Sequence, residues 1–261
     1  MNEFAHYLEA KRTVDDRAID RRVLETLRRR LENIEGPAIA DIGAGVGTGI
    51  ERLVDWGVVA EPIYTAIEPD RELLADARSR LEARLHGEFI ASTLTDFAAK
   101  DDNHARYDLV IAHAFLDIVE LAPALKNLVS LARPGGFLYF PITFDGETIF
   151  EPAREDDAAI LSRYHASMGA IGDSKTGRKL VHALQEHPVD VVEMASSDWI
   201  VFPTAGSYPS DEAFFLKFVV GMVERTLGER AKRWAAARRE QIDDGQLLYI
   251  AHQIDCLARK R

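Results

Sequence analysis

The chain has 261 residues, an apolar share of 47% and a formal net charge of −11 at neutral pH, which suits one enlarged domain or one core with appendages. The acid excess disfavours nucleic acid as a partner, because such binding leans on clustered Lys and Arg that displace counterions, and here Arg28–Arg30 and Arg238–Arg239 lie on helical patterns interleaved with acids. A single cysteine, Cys256, excludes an internal disulfide and a cysteine-based zinc site. No apolar run reaches the ~18 residues of a membrane span, and the start Met1–Tyr7 lacks a secretory signal's basic and apolar parts, so a cytoplasmic protein with no membrane partner is expected.

Taken in chain order, residues 3–34 carry Leu8, Val14, Ile19, Val23, Leu27 and Leu31 at helical spacing, with a break expected near Thr13–Asp16, where Thr or Asp would cap a second helix. Gly36–Pro37 ends that stretch. Strands are then expected at 38–42, 63–68, 87–92, 107–112 and 136–144, alternating with helices near 48–55, 70–84, 94–99 and 120–132. Such alternation with short connections argues for right-handed crossovers and a parallel sheet with helices on both faces. Arg133-Pro-Gly-Gly136 is a turn that launches the fifth strand. Further on, 147–172 is acid-rich, 174–187 is helical, and 189–194 with 199–203 forms one bent strand or two short ones. Residues 211–226 and 229–243 are strongly helical, and 247–257 reads as a buried terminal strand.

The most informative stretch is Ala38–Ile50, an apolar strand running into a glycine-dense turn, followed by a second strand that closes on Glu68, 21 positions after Gly47. Glycines there allow close backbone approach to a ligand, and a carboxylate ending the next strand can accept from a ribose diol. A dinucleotide fingerprint would read G-x-G-x-x-G/A, but counting from Gly43 or Gly45 puts Thr48 or Ile50 at the last glycine position. That disfavours a nicotinamide-dependent oxidoreductase. What fits is Asp-x-Gly-x-Gly-x-Gly, with Asp41, Gly43, Gly45 and Gly47 in step. This resembles the first motif of the class I S-adenosylmethionine-dependent methyltransferases. Glu68 resembles the acid of their second motif, and Pro134-Gly-Gly136 a landmark before their fifth strand.

The resemblance implies an α/β, Rossmann-like, seven-stranded and mostly parallel sheet with a reversed last strand, the terminal run, inserted beside the fifth. It implies S-adenosylmethionine as cofactor. In the family the glycine turn abuts the methionine portion and ribose, the first acid helps hold the amino-acid end, and the second acid, here Glu68 with Pro69 after it, binds the ribose hydroxyls. Residues 1–261 are then one domain: 1–35 an N-terminal helical lid, 36–146 the cofactor-binding half, and 147–172 with 204–245 helical additions on the acceptor side.

Further site candidates follow. Adenine is expected near Leu94, Thr95 and Asp96, although Asp96 serves equally as a helix cap. His113 ends the fourth strand and is a candidate base or substrate contact, or a residue that touches the cofactor through its backbone. Arg12 is placed over the cofactor carboxylate, with Arg17 as a parallel candidate on the substrate side. Tyr7, Asp117, Phe144, Tyr164 and His165 complete the expected substrate set, with Trp199 and Tyr208 flanking. Ala112-His-Ala-Phe115 stands where enzymes acting on exocyclic amines often show Pro-Pro-aromatic, which favours a small-molecule acceptor over nucleic acid or protein. A non-catalytic S-adenosylmethionine-binding protein stays open, as does a monomer or homodimer. No histidine–acid grouping has metal-ligand spacing, so no metal is expected.

Overall fold

A computed structural model describes residues 2–261. The N-terminal segment forms α1 (Glu3–Ala10), α2 (Arg12–Ala18) and α3 (Arg21–Leu31). The alternating part contains β1 (Ala38–Ile42), α4 (Thr48–Asp55), β2 (Ile63–Ile67), α5 (Arg71–Leu81), β3 (Gly87–Ile90), α6 (Leu94–Ala98), β4 (Tyr107–Ile111), α7 (Leu121–Leu131) and β5 (Ala132–Glu151). There follow α8 (Asp157–Met168), α9 (Thr176–Gln185), β6 (Val189–Ser196), β7 (Trp199–Val201), α10 (Glu212–Leu227), α11 (Glu229–Asp243) and β8 (Leu248–Lys260). No helix among the described residues is long and apolar enough to cross a membrane.

All eight strands join one sheet, in the order β3-β2-β1-β4-β5-β8-β6, with β7 paired to β8 off that path. The pairs from β3 to β5 are parallel, and β8 runs antiparallel to β5, β6 and β7. The terminal strand is therefore the reversed one beside the fifth, as expected, while the count is eight rather than seven because 189–203 splits into two strands on β8. Burial follows the two-residue period of a sheet covered on both faces. Ile39, Leu109, Ile111, Tyr139 and Leu257 face one core, under α3, α4 and α10. Ala40, Ile42, Val110, Leu138, Phe140 and Cys256 face the other, under α7 and α9. Each fully buried Leu or Ile contributes roughly 1.5–3 kcal/mol.

Several boundaries differ from expectation, and β5 already begins at Ala132, so that Arg133–Gly136 lie within it. The first helix break falls at Lys11 and the second at Ile19–Asp20, not at Thr13–Asp16, because the α3 cap is Asp20, whose carboxylate accepts from the N–H groups of Arg22 and Val23. Residues 147–151, assigned to a helical addition, continue β5 instead. The polar run Asp145-Gly-Glu147 forms an irregularity in the ladder, after which Thr148–Glu151 pair with Leu248–Ala251.

Candidate active site

The carboxyl edge of the sheet is where open α/β folds bind ligands, and β1 delivers Asp41 and the glycine turn there. Gly43 and Gly45 have φ of 69° and 55°, a region costly for residues with a Cβ. A Cβ on Gly43 would stand 2.8 Å from Phe115 Cδ2, and one on Gly45 3.1 Å from Leu8 Cδ1. Both positions leave the backbone bare beneath a neighbouring side chain. Glu68, buried at the end of β2, accepts from the N–H of Gly45 and of Asp70, each at 3.0 Å. Its carboxylate thus fastens the turn, using two of about four lone-pair positions.

Three cavities open along this edge. A small one of about 50 Å³ lies among Leu8, Lys11, Asp41, Gly43–Val46, Gly49 and His113. A wider one of about 480 Å³ runs past Gly43, Ile67, Pro69, Ser92–Thr95 and Phe115. Gly43 is their common wall. The third, of about 250 Å³, is lined mainly by apolar and aromatic side chains: Phe4, Tyr7, Phe144, Phe150, Tyr164, Trp199 and Tyr249, with Asp117 and Gln253 among them. Leu8 and Lys11 wall both the small cavity and this apolar one.

Electrostatics sort the polar groups of the small cavity. Burial raises the Asp41 carboxyl to about 7, opposed by the Tyr64 hydroxyl, which donates to Oδ2 at 2.9 Å, and reinforced by the charge of Glu68. His113 is driven down to about 4 by burial, against the pull of Asp15. Its ring is therefore neutral at pH 7. Because Nε2 lies 3.1 Å from Asp15 Oδ2, and a neutral imidazole has one donor and one acceptor, Nε2 carries the proton and Nδ1 is a bare acceptor. A Cβ on Gly49 would be 3.7 Å from that Nδ1 and 3.9 Å from Asp41 Oδ2, so both acceptors face the same cavity. Lys11, buried beside them, supplies a cation.

Asp15 organises this corner from α2. It pairs with Lys11 at 3.1 Å and lies 3.8 Å from Arg52, while Trp199 Nε1 donates to it at 2.9 Å. Burial alone would raise its carboxyl, but Lys11, His113 and Arg52 outweigh that and hold it below the ordinary range.

Residues 40–138 match the methyltransferase domain family. Solved structures sharing the fold across most of their length include a Bacillus halodurans C-125 protein described as a methyltransferase (14% identity, 91% of this chain and 98% of that one, TM-score 0.59). Another is geranyl diphosphate C-methyltransferase from Streptomyces coelicolor A3(2), solved with Mg2+, geranyl-S-thiolodiphosphate and S-adenosyl-L-homocysteine (12%, 91% and 75%, 0.52). A third is the cyclopropane synthase MmaA2 from Mycobacterium tuberculosis (11%, 91% and 82%, 0.53). Residues 40–138 form a methyltransferase domain. No protein of curated function matches the chain.

Within the methyltransferase domain the expected cofactor residues divide. Asp41, Gly43, Gly45 and His113 line the small cavity, and Gly43, Pro69, Leu94 and Thr95 the wider one. Gly47 sits at the start of α4 with its open side against Leu81 and Ala77, and Glu68 turns onto the glycine loop. Asp96 and Arg12 are not brought to either cavity. Asp96 exchanges hydrogen bonds with Thr93, whose hydroxyl caps α6 and donates to Oδ2 at 2.8 Å. Arg12 is spent on Glu51 and Asp55.

Of the expected substrate residues, Tyr7, Asp117, Phe144 and Tyr164 line the apolar cavity. Arg17 instead binds Glu212 with both terminal nitrogens, at 2.6 and 2.8 Å. His165 stands behind the wall, 3.1 Å from Thr148 Oγ1 and edge-on to Phe144. His113 lines the small cavity, not the apolar one, whose wall carries its neighbour Ala114. Trp199 joins that wall, whereas Tyr208 bonds through its hydroxyl to the Leu247 backbone. Sequence reasoning missed Leu8, Lys11, Asp15 and Phe115. The i, i+4 pair Lys11–Asp15 was the available signal.

Proposed function

We propose that the protein transfers a methyl group from S-adenosylmethionine to a small, largely apolar acceptor. The carrying observation is the aromatic-walled cavity of about 250 Å³ that adjoins the small cavity through Leu8 and Lys11. Its size approaches that of small-molecule sites, and the acid-rich chain argues against a nucleic-acid acceptor.

The residues fit the cofactor by their chemistry. Asp41 and His113 Nδ1 are two acceptors for an ammonium, and Lys11 is a cation for a carboxylate, so together they match the zwitterionic end of an amino acid. Glu68 keeps lone pairs for the ribose hydroxyls. Pro69, Leu94 and Thr95 offer walls and backbone groups for the base. When bound, S-adenosylmethionine supplies a methyl carbon already activated by its sulfonium. The chain then has to hold the acceptor in line and keep water out, and such positioning alone accounts for much of a displacement's rate. Tyr7, Phe144, Tyr164 and Trp199 serve both needs. Residues 1–35 act as the lid over this arrangement, with α8 and α10 closing the acceptor side.

Calorimetry with S-adenosylmethionine and S-adenosylhomocysteine tests the cofactor assignment, and a screen of apolar acceptors for S-adenosylhomocysteine release tests the reaction. Binding of neither ligand by the wild-type protein refutes the proposal.

A further inference from the structure

Asp117 is the one carboxylate on the wall of the apolar cavity. It is buried, and its Oδ1 has no hydrogen-bond partner. Lys11, the cation at this end of the cavity, is already engaged by Asp15. A buried polar atom left unpaired costs free energy, and a charged one costs more. The N–H groups of Asp117 and Phe144 and the charge of Lys11 offset part of that cost, but none of them gives Oδ1 a hydrogen bond.

The backbone around Asp117 is firmly held. Its carbonyl accepts from Asp173 N–H at 3.0 Å, in the loop that follows α8. A Cβ on Gly172 would stand 2.0 Å from that carbonyl oxygen, so the loop approaches as closely as glycine permits. Gln253, on β8, lines the same cavity with its Oε1 also buried and unpaired. The cavity thus combines an aromatic wall with side-chain acceptors that lack donors. An apolar cavity of about 150 Å³ admits benzene, so about 250 Å³ accommodates a skeleton nearer a fused bicyclic aromatic.

Resting on the small-acceptor reading above, we propose that Asp117 selects the acceptor. The acceptor is an apolar molecule of roughly bicyclic-aromatic size that presents one N–H or O–H donor to the Asp117 carboxylate. Burial raises this carboxyl to about 6, against the N–H groups of Asp117 and Phe144 and the charge of Lys11. At pH 7 it is mainly ionised and only accepts, so the matching ligand group must donate.

The test uses the full chain saturated with S-adenosylhomocysteine, whose binding is recorded in the same titrations. Three probes are compared by calorimetry: 2-naphthol, 2-naphthylmethylamine and 2-methylnaphthalene. Wild type should bind at least one donor-bearing probe about tenfold or more tighter than 2-methylnaphthalene, the scale of a hydrogen bond to a charged group. Whichever donor wins tells a hydroxyl from an ammonium, and either supports the proposal. Asp117→Leu should abolish the preference while retaining 2-methylnaphthalene. Asp117→Asn, which keeps an acceptor but no charge, should reduce the preference and keeps the test decisive should the leucine variant fail to fold. Equal binding of all three by wild type, or an unchanged preference in the variants, overturns the role of Asp117. If no probe binds although S-adenosylhomocysteine does, the small-acceptor reading falls with it. Failure of S-adenosylhomocysteine itself to bind falls on the cofactor assignment alone.

Discussion

Asp15→Asn isolates the charge that organises the cofactor corner. Asparagine keeps the shape and an oxygen for Trp199 Nε1, but leaves Lys11, 3.1 Å away, and Arg52, 3.8 Å away, without their shared anion. Removing one partner of a buried pair costs about 3–5 kcal/mol. Arg52 retains Asp16, which places the expected cost near the lower end, about 3 kcal/mol. Against a total stability of roughly 5–15 kcal/mol that is a large loss. At about 2–4 °C per kcal/mol for a chain of this size, Tm should fall by about 6–12 °C at pH 7.

Acidification gives an independent arm. The Asp15 carboxyl sits below its ordinary value of 3.8 in the fold, so below that pH the unfolded chain takes up a proton while the native state does not. Its stabilisation is complete above about pH 4 and declines by about 1.4 kcal/mol per unit below it. The gap between wild type and Asp15→Asn should therefore narrow between pH 4 and pH 3. Thermal and urea unfolding measure both quantities. A Tm change under about 2 °C at pH 7, or a gap that widens on acidification, refutes the account of this network.

Other substitutions address the turn and its acids. Gly43→Ala drives a Cβ toward the Phe115 ring at a φ of 69°; it should weaken S-adenosylhomocysteine binding about tenfold or more with a loss of ~1–2 kcal/mol in stability, and unchanged affinity in calorimetry counts against the cradle. Asp41, held near 7 by burial, should lose its proton to make room for an ammonium, so affinity rises from pH 6 to pH 8 and levels off above. Titrations in two buffers of different ionisation heat should show proton release, and none would contradict the placement. Glu68→Ala should weaken both cofactor forms and also destabilise the fold by about 1–3 kcal/mol, since Gly45 and Asp70 lose their acceptor. Glu68→Gln should weaken binding with a smaller effect on stability, and wild-type affinity in both variants would remove Glu68 from the site.

The glycine turn and the parallel strands were legible because their causes are local. The turn needs particular residues at consecutive positions, and the strands are short apolar runs between breakers. The arginines were not legible for the opposite reason. Arg12 and Arg17 are suited to clamping a carboxylate, but sequence does not say whose, and the fold provides Glu51, Asp55 and Glu212. Asp15 was read as part of a helix break and is instead a buried hub, since Trp199, its donor, is 184 positions away. A cap role for Asp96 was one of two readings that the residues allowed, but the cap itself is Thr93, with which Asp96 exchanges hydrogen bonds. Splitting 189–203 into β6 and β7 depends on how far β8 extends, which local pattern does not encode.

The N-terminal helices line both the small cavity and the apolar one. α1 lays Leu8 against Gly45 and places Phe4, Tyr7 and Leu8 on the wall of the apolar cavity. The small cavity, at about 50 Å³, is well below the roughly 300 Å³ where ligand pockets begin. For a ligand to reach Asp41, α1 or Phe115 has to give way. The outer fastenings of α1 are Asn2–Glu72, His6–Asp211 and Glu9–Arg80, all at least partly exposed and of the kind worth ~0–1 kcal/mol each. Both helices also hold through buried groups, α1 through Tyr7, stacked on Phe215 and Phe218, and α2 through Asp15. The chain changes helix at Lys11. Lys11 stands at the junction and faces both cavities, so the residue that marks the break in the helix is also the one that either ligand would meet.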